Sequence, residues 1–201
     1  MTLSLPAAPP TPAASHAAGP MGPLGRYLHH RQPRMAAANL LALVVGWNTP
    51  FYPLMLRWAA GPEVWPIGWL TLLSCPLFLA VPWVARRNPT AGLALLASAG
   101  TLNTLFCAWV LGPGTGIALF LPPCALLAAL LHRPQERGWM LGMLGLILAV
   151  AVFCAWMPVP PLLTLPQEAA ARVLAMNAGS VLCLSLVMAL RYARLLEGEG
   201  R

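Results

Sequence analysis

From Met35 onward the chain is a succession of long apolar runs separated by short breaks rich in Arg, Pro or Gly. The runs cover residues 36–57, 64–85, 90–111, 115–132, 138–158 and 171–193. A spanning helix needs roughly 20 apolar residues to cross about 30 Å of hydrocarbon. None of the runs shows the period-two alternation of a strand, so each predicts a helix. The expected fold is all-α: a polytopic membrane protein, a bundle of six transmembrane helices.

The flanking segments complete the division. Residues 1–25 hold six prolines and no charged side chain. They lack both the basic start and the continuous apolar core of a signal peptide. Such sequence cannot bury enough surface to order itself, so it is expected to be a disordered tail. Residues 26–35 form a basic juxtamembrane segment, 36–196 the membrane domain, and 197–201 a short cytoplasmic end.

Composition agrees with the pattern. The chain of 201 residues is 59% hydrophobic and 8% charged, with mean hydropathy +0.71. Soluble domains carry about 25% charged residues, and a fold of this size could not hide so much apolar surface from water. Lysine and aspartate are both absent, while Ala, Leu and Pro are abundant. This usage points to a high-GC bacterial genome. Without lysine, a retinal Schiff base is excluded.

Charge orients the bundle. With the N-terminus inside, the inner side carries Arg26, Arg31, Arg34, Arg86, Arg87, Arg133, Arg137, Arg191, Arg194 and Arg201, ten of the 12 basic residues. The outer side carries Arg57 and Arg172. This is the positive-inside asymmetry. It predicts both termini in the cytoplasm, with Arg31, Arg34, Arg86, Arg87, Arg133, Arg137, Arg191 and Arg194 as anchors. Trp58, Trp65, Trp109 and Trp156 fall near outer ends, and Trp83 and Trp139 near inner ends, as an aromatic belt requires. The expected location is the bacterial inner membrane, and the expected partner is the lipid bilayer. The net charge of +7 is not a nucleic-acid signal, because the arginines follow the loops instead of forming one patch.

Polar side chains inside the runs are few. Asn48, Thr49 and Tyr52 lie in the first, Asn103 and Thr104 in the third, and Asn177 in the sixth. An amide in hydrocarbon demands hydrogen-bond partners, so Asn48 is expected to face another helix. Two readings of this cluster stay open: glue between helices, or a polar lining for a small ligand. No carboxylate, histidine or arginine lies at mid-membrane, which counts against an ion-coupled transporter. Cys75, Cys107, Cys124, Cys154 and Cys183 fall one to a helix with no CxxC pair, and buried cysteine usually acts as a small hydrophobe. His29, His30 and His132 lie at run ends, not at the matched depths that haem ligation needs. No catalytic constellation or phosphate-binding loop occurs. The chain is therefore expected to be no enzyme and to hold no metal or cofactor. Prolines at 50, 53, 66, 76, 82, 122 and 123 are expected to kink the helices that hold them.

Several landmarks fall in a familiar order. The first run starts near Asn39 and ends in "FYP"; the third ends in "LG", followed by the turn "GPGTG" and "GIALFLPP". The basic segment "HRPQER" precedes the fifth, and the sixth opens with "MNAGS" and leaves through "RYARLLE". Over about residues 36–197 this layout resembles the six-helix membrane-associated sensor (MASE-type) domains at the N-termini of bacterial diguanylate and adenylate cyclases and histidine kinases. The resemblance implies that the last helix leads toward a cytoplasmic output device. The expected function is a sensory and signal-transduction membrane module, acting as a homodimer or through a signalling partner. The alternatives are a structural or assembly protein, or a small transporter. Gly198 and Gly200 are expected to stop the last helix, leaving a short stub after Leu196.

Overall fold

The computed structural model describes residues 22–156 and 159–199, with side chains as far as Arg194. Most of the expected tail, residues 1–21, lies outside the described residues, as do the closing residues 200 and 201.

Among the described residues every regular element is helical. A short helix α1 (Pro23–Leu28) comes first. The first run is one helical path in three pieces: α2 (Pro33–Asn48), a 3-10 turn Thr49–Phe51, and α3 (Tyr52–Ala60). The second is assembled from a 3-10 turn Pro62–Val64, α4 (Trp65–Gly68), a 3-10 stretch Trp69–Ser74 and α5 (Cys75–Arg87). Helix α6 (Pro89–Leu111) is unbroken. Two 3-10 turns, Pro113–Thr115 and Ile117–Phe120, lead to α7 (Leu121–Leu131). The turn Pro134–Glu136 opens α8 (Arg137–Trp156), and α9 (Gln167–Glu199) is the longest helix.

All six apolar runs lie on helix, but they are not equivalent. Four helical stretches are long and apolar enough to cross a membrane by length and composition: Pro62–Arg87, Pro89–Leu111, Pro134–Trp156 and Gln167–Arg194. Ile117–Leu131 is apolar but shorter, and the 33–60 path changes helix type at Thr49–Phe51.

The prolines explain the broken pieces. Pro50, Pro53, Pro66, Pro76, Pro122 and Pro123 each sit in the first turn of a helical piece. There the missing N–H is not needed, while the helix upstream loses a bond and tightens into a 3-10 turn. Pro50 frees the carbonyl of Gly46, and the Cys75 thiol donates to that oxygen at 3.2 Å. Pro82 lies within α5 itself.

Helix α6 is the centre of the bundle. Helices α5, α7 and α8 pack on it, and α2 packs on α5. The seam between α5 and α6 depends on one glycine: a Cβ at Gly92 would lie 2.7 Å from the Ala85 Cβ and 2.8 Å from its Cα. The segment after α8 also follows α6. The amides of Leu162 and Leu163 donate to the carbonyls of Trp109 and Val110, both at 3.0 Å.

The last helix corrects the expected stop. It begins at Gln167 and passes through Gly198 to Glu199. A helical glycine costs about 1 kcal/mol relative to alanine, which is a preference and not a barrier.

Candidate functional site

Two polar constructions stand at opposite ends of the bundle. The first joins three segments that are remote in sequence. Tyr52 opens α3 just after the 3-10 turn, and its hydroxyl donates to Asn177 Oδ1 on α9 at 3.0 Å. Asn177 Nδ2 donates to the Thr115 carbonyl at 2.9 Å. Thr115 Oγ1 in turn donates to the Gly112 carbonyl at 2.7 Å. Asn177 has no exposed surface. The turn exists because Gly112 and Gly116 adopt φ of +85° and +69°, a region that glycine enters without a Cβ penalty. One helical turn and a half before Asn177, Arg172 Nε donates to the Ala59 carbonyl at 2.6 Å. Thus the first part of α9 is tied both to the end of α3 and to the turn after α6.

The energetics favour holding over chemistry. Each such bond adds only about 1 kcal/mol net, but a buried partner left unpaired costs about 1–3 kcal/mol. The node therefore fixes the register of α9. Its members at the junction itself are uncharged, and the arrangement is a latch between helices.

The second construction lies among the arginines. Arg34, in the first turn of α2, holds Glu136 with both ends of its guanidinium, Nη1 to Oε2 at 2.6 Å and Nη2 to Oε1 at 3.0 Å. Thr90 Oγ1 donates to Oε1 at 2.7 Å, and the Arg133 amide donates to Oε2 at 2.8 Å. Arg34 also donates to the Leu131 carbonyl at 2.9 Å. One carboxylate thus ties the starts of α2, α6 and α8 to the end of α7. Glu136 lies on the polar turn ahead of the apolar stretch of α8. The Arg34 guanidinium, helped by the Arg133 amide and the Thr90 hydroxyl, holds its carboxyl well below the usual carboxylate range against the opposing effect of burial.

The expected polar cluster is only partly assembled. Tyr52 and Asn177 meet at the node. Thr49 donates to the Val45 carbonyl at 2.8 Å and Thr104 to Gly100 at 2.9 Å, each within its own helical path. Asn103 receives a 3.6 Å contact from the Cys107 thiol. Among the described residues Asn48 faces no other helix; it is exposed, on the same outward stripe of α2 as Val44 four residues earlier. The 3-10 turn at Thr49–Phe51 follows it, and Tyr52 beyond that turn points inward. No motif in the sequence marks Thr115, because "GPGTG" reads as a plain turn. Its signal is a lone Thr between glycines that take positive φ.

The arginines expected as anchors share one end. Arg86 Nη2 donates to the Arg26 and Tyr27 carbonyls at 2.8 and 2.9 Å, and Arg87 stacks on the Trp83 ring at 3.6 Å. Arg31, Arg133, Arg137, Arg191 and Arg194 are exposed. Arg57, at the other end, lies 5.3 Å over the Trp65 ring. Cys107, Cys124 and Cys154 share an apolar cluster. Among the described residues no three His, Cys, Asp or Glu side chains converge as metal ligands.

The sequence profile of the MASE7 membrane-associated sensor domain matches residues 25–197. No curated protein and no solved structure matches the chain. The matched region contains both polar constructions. The landmarks "FYP", "GPGTG" and "MNAGS" supply Tyr52, Thr115 and Asn177, the three members of the node. The chain belongs to the MASE7 family of membrane-associated sensor domains.

Proposed function

We propose that this membrane-associated sensor domain crosses the bacterial inner membrane six times, with both termini cytoplasmic, and reports by moving its last helix. Positive-inside placement of the arginines supports that topology. The stimulus is a change in the apolar surroundings of the node, from a lipid-soluble ligand or from the bilayer itself. It loosens or tightens the hold on α9, and the arginine-rich end of that helix passes the movement to a signalling partner. The module carries no catalytic step of its own.

One observation carries the reading. The helix that leads toward the output is latched to α3 and to the turn after α6 through buried Asn177, yet from Ala189 to Arg194 it is largely exposed. Such a helix can pivot. The test is electron–electron distance measurement between spin labels at positions 87 and 190 in the full chain in vesicles. Asn177→Leu should broaden or shift the distance distribution, whereas Asn103→Leu should not. Identical distributions for Asn177→Leu and wild type would sink the latch. Labelling of single cysteines at 133 and 194 from inside, and at 61 and 114 from outside, checks the topology separately.

A second reading, an assembly protein, is favoured by exposed Asn48. In hydrocarbon this amide lacks a partner among the described residues, and Gly138, Gly142 and Gly145 leave an open face on α8 with nothing within 4 Å of an added Cβ. Small faces and polar side chains promote helix association in membranes. Disulfide crosslinking of Asn48→Cys between two copies would support it, and a monomer at every protein-to-lipid ratio would remove it.

A further inference from the structure

The seam between α9 and its neighbours at the arginine-rich end is a groove. Ala37 and Leu41 of α2 form one wall, Leu130 of α7 another, and Met188 of α9 the third. Its polar end is made by Arg191 and Tyr192 of α9. The walls are wholly apolar, so the groove is amphipathic along its length.

The cation at its mouth is not committed elsewhere. Arg34, one turn before Ala37 on α2, is held by Glu136 and the Leu131 carbonyl. Arg191 is exposed and has no hydrogen-bond or ion-pair partner among the described residues, and the same is true of the Tyr192 hydroxyl. Arg194, three residues further, projects on the same side of the helix and is also exposed. An arginine fork with a neighbouring hydroxyl matches a phosphate. The apolar trough leading away from it is shallow, about 20 Å³, so an acyl chain would lie along its rim against α2, α7 and α9 and not within it, and basic sites between membrane helices take anionic headgroups.

We propose that this groove binds one anionic phospholipid, its phosphate on Arg191 and Tyr192 and one acyl chain lying along the apolar seam of α2, α7 and α9. The lipid covers the seam at the end of α9, and so bears on how closely that helix lies against the bundle. The site depends on the membrane location of the chain and not on the sensory reading.

Native mass spectrometry of the full chain in detergent, titrated with phosphatidylglycerol or with phosphatidylcholine of the same acyl chains, tests it. Phosphatidylglycerol should occupy one site in preference. Arg191→Gln should lower that occupancy about fivefold, the ratio that roughly 1 kcal/mol per arginine at a lipid surface implies. Arg87→Gln removes a charge at the same end outside the groove and should change nothing. Ala37→Trp should block the trough and lower retention of both lipids. Excess inorganic phosphate should leave the lipid bound. Equal occupancy by the two lipids, equal effects of Arg191→Gln and Arg87→Gln, displacement by phosphate, or a lipid-free dimer that closes the groove would each overturn the proposal. If Arg191→Gln fails to fold, Tyr192→Phe and Ala37→Trp decide it.

Discussion

Helix α6 and helix α9 are both apolar and both long enough to span a bilayer, yet their surroundings differ. In α6, 56% of the spanning window is buried within the protein; in α9 the share is 17%. The polar residues of α6 mostly satisfy themselves: Ser98, Thr101 and Thr104 each donate to a carbonyl four residues back. In α9 Ser180 does the same to Met176, but Arg172 reaches outward to Ala59 and Asn177 to Tyr52 and Thr115. In lipid an exposed leucine costs nothing, so burial no longer decides where a helix goes. Close backbone approach places α6, and a few directional bonds place α9. A helix held by many contacts is a scaffold, and one held by few specific bonds can move.

The sharpest way to break this comparison is at the α5–α6 seam. Gly92→Leu should have the largest effect of any change considered, because its side chain would meet the Ala85 backbone and not a yielding side-chain tip. Even Gly92→Ala should cost about 1–3 kcal/mol, as overpacking does in tight cores. Thermal unfolding in detergent, followed by near-ultraviolet circular dichroism, measures it. A Gly92→Leu protein with wild-type Tm would mean that α5 and α6 do not approach as described.

Asn177→Leu comes next. It should cost about 1–3 kcal/mol, since the Tyr52 hydroxyl and the Thr115 carbonyl lose their partner in a dry site. The loss should be local: hydrogen exchange should rise in α9 and in the turn Pro113–Thr115 while α6 stays protected. Uniform exchange across both helices would show that α9 is part of the scaffold.

How far the sequence revealed this difference follows from which physical signals are one-dimensional. The apolar runs and the arginine pattern are summed along the chain, so the helices and the shared arginine end were legible. The node was half legible. Tyr52 and Asn177 stand out as polar groups in apolar runs, but Asn48 stands out equally; it lies on the outward stripe of α2, while Tyr52, beyond the 3-10 turn Thr49–Phe51, points inward. Thr115 was hidden because it contributes its carbonyl, and any residue has one. Glu136 falls in the short basic segment "HRPQER" with nothing beside it to mark a role; that role arises from Arg34 and Thr90, 102 and 46 residues away. The reach of α9 through Gly198 is not legible locally, because a glycine's helix preference is a small local cost that the long helix before it outweighs.

The carboxylate clamp offers a gentler test, because it acts at the end where α9 is not pinned. The Glu136 carboxyl titrates below its ordinary value of about 4.5. A depressed folded-state value means that its contribution is present above the unfolded value and is lost as pH falls below it. Wild-type Tm should therefore drop as acid is added from about pH 5 toward about pH 2. Glu136→Gln should begin lower at neutral pH and lack that part of the drop. Parallel curves for the two proteins would assign the acid sensitivity elsewhere. Spin-label distances to α9 should change little across the titration, since the clamp joins α2, α6, α7 and α8 only.

The smallest expected effect is the counterpart of the first. Gly179 lies in α9 two residues after the node, and a Cβ there meets nothing within 4 Å. Gly179→Ala should therefore leave Tm within about 0.5 kcal/mol equivalent of wild type or raise it slightly, because alanine is the better helix former by up to about 1 kcal/mol. The same change at Gly92 is destabilising. Glycine to alanine is thus one substitution with opposite signs in the two helices, and its sign reports whether protein or lipid lies against that point. If Gly179→Ala also destabilised the protein by about 1 kcal/mol or more, a second chain would have to occupy that face of α9, and the helix would be held on both sides instead of being free to pivot about Asn177.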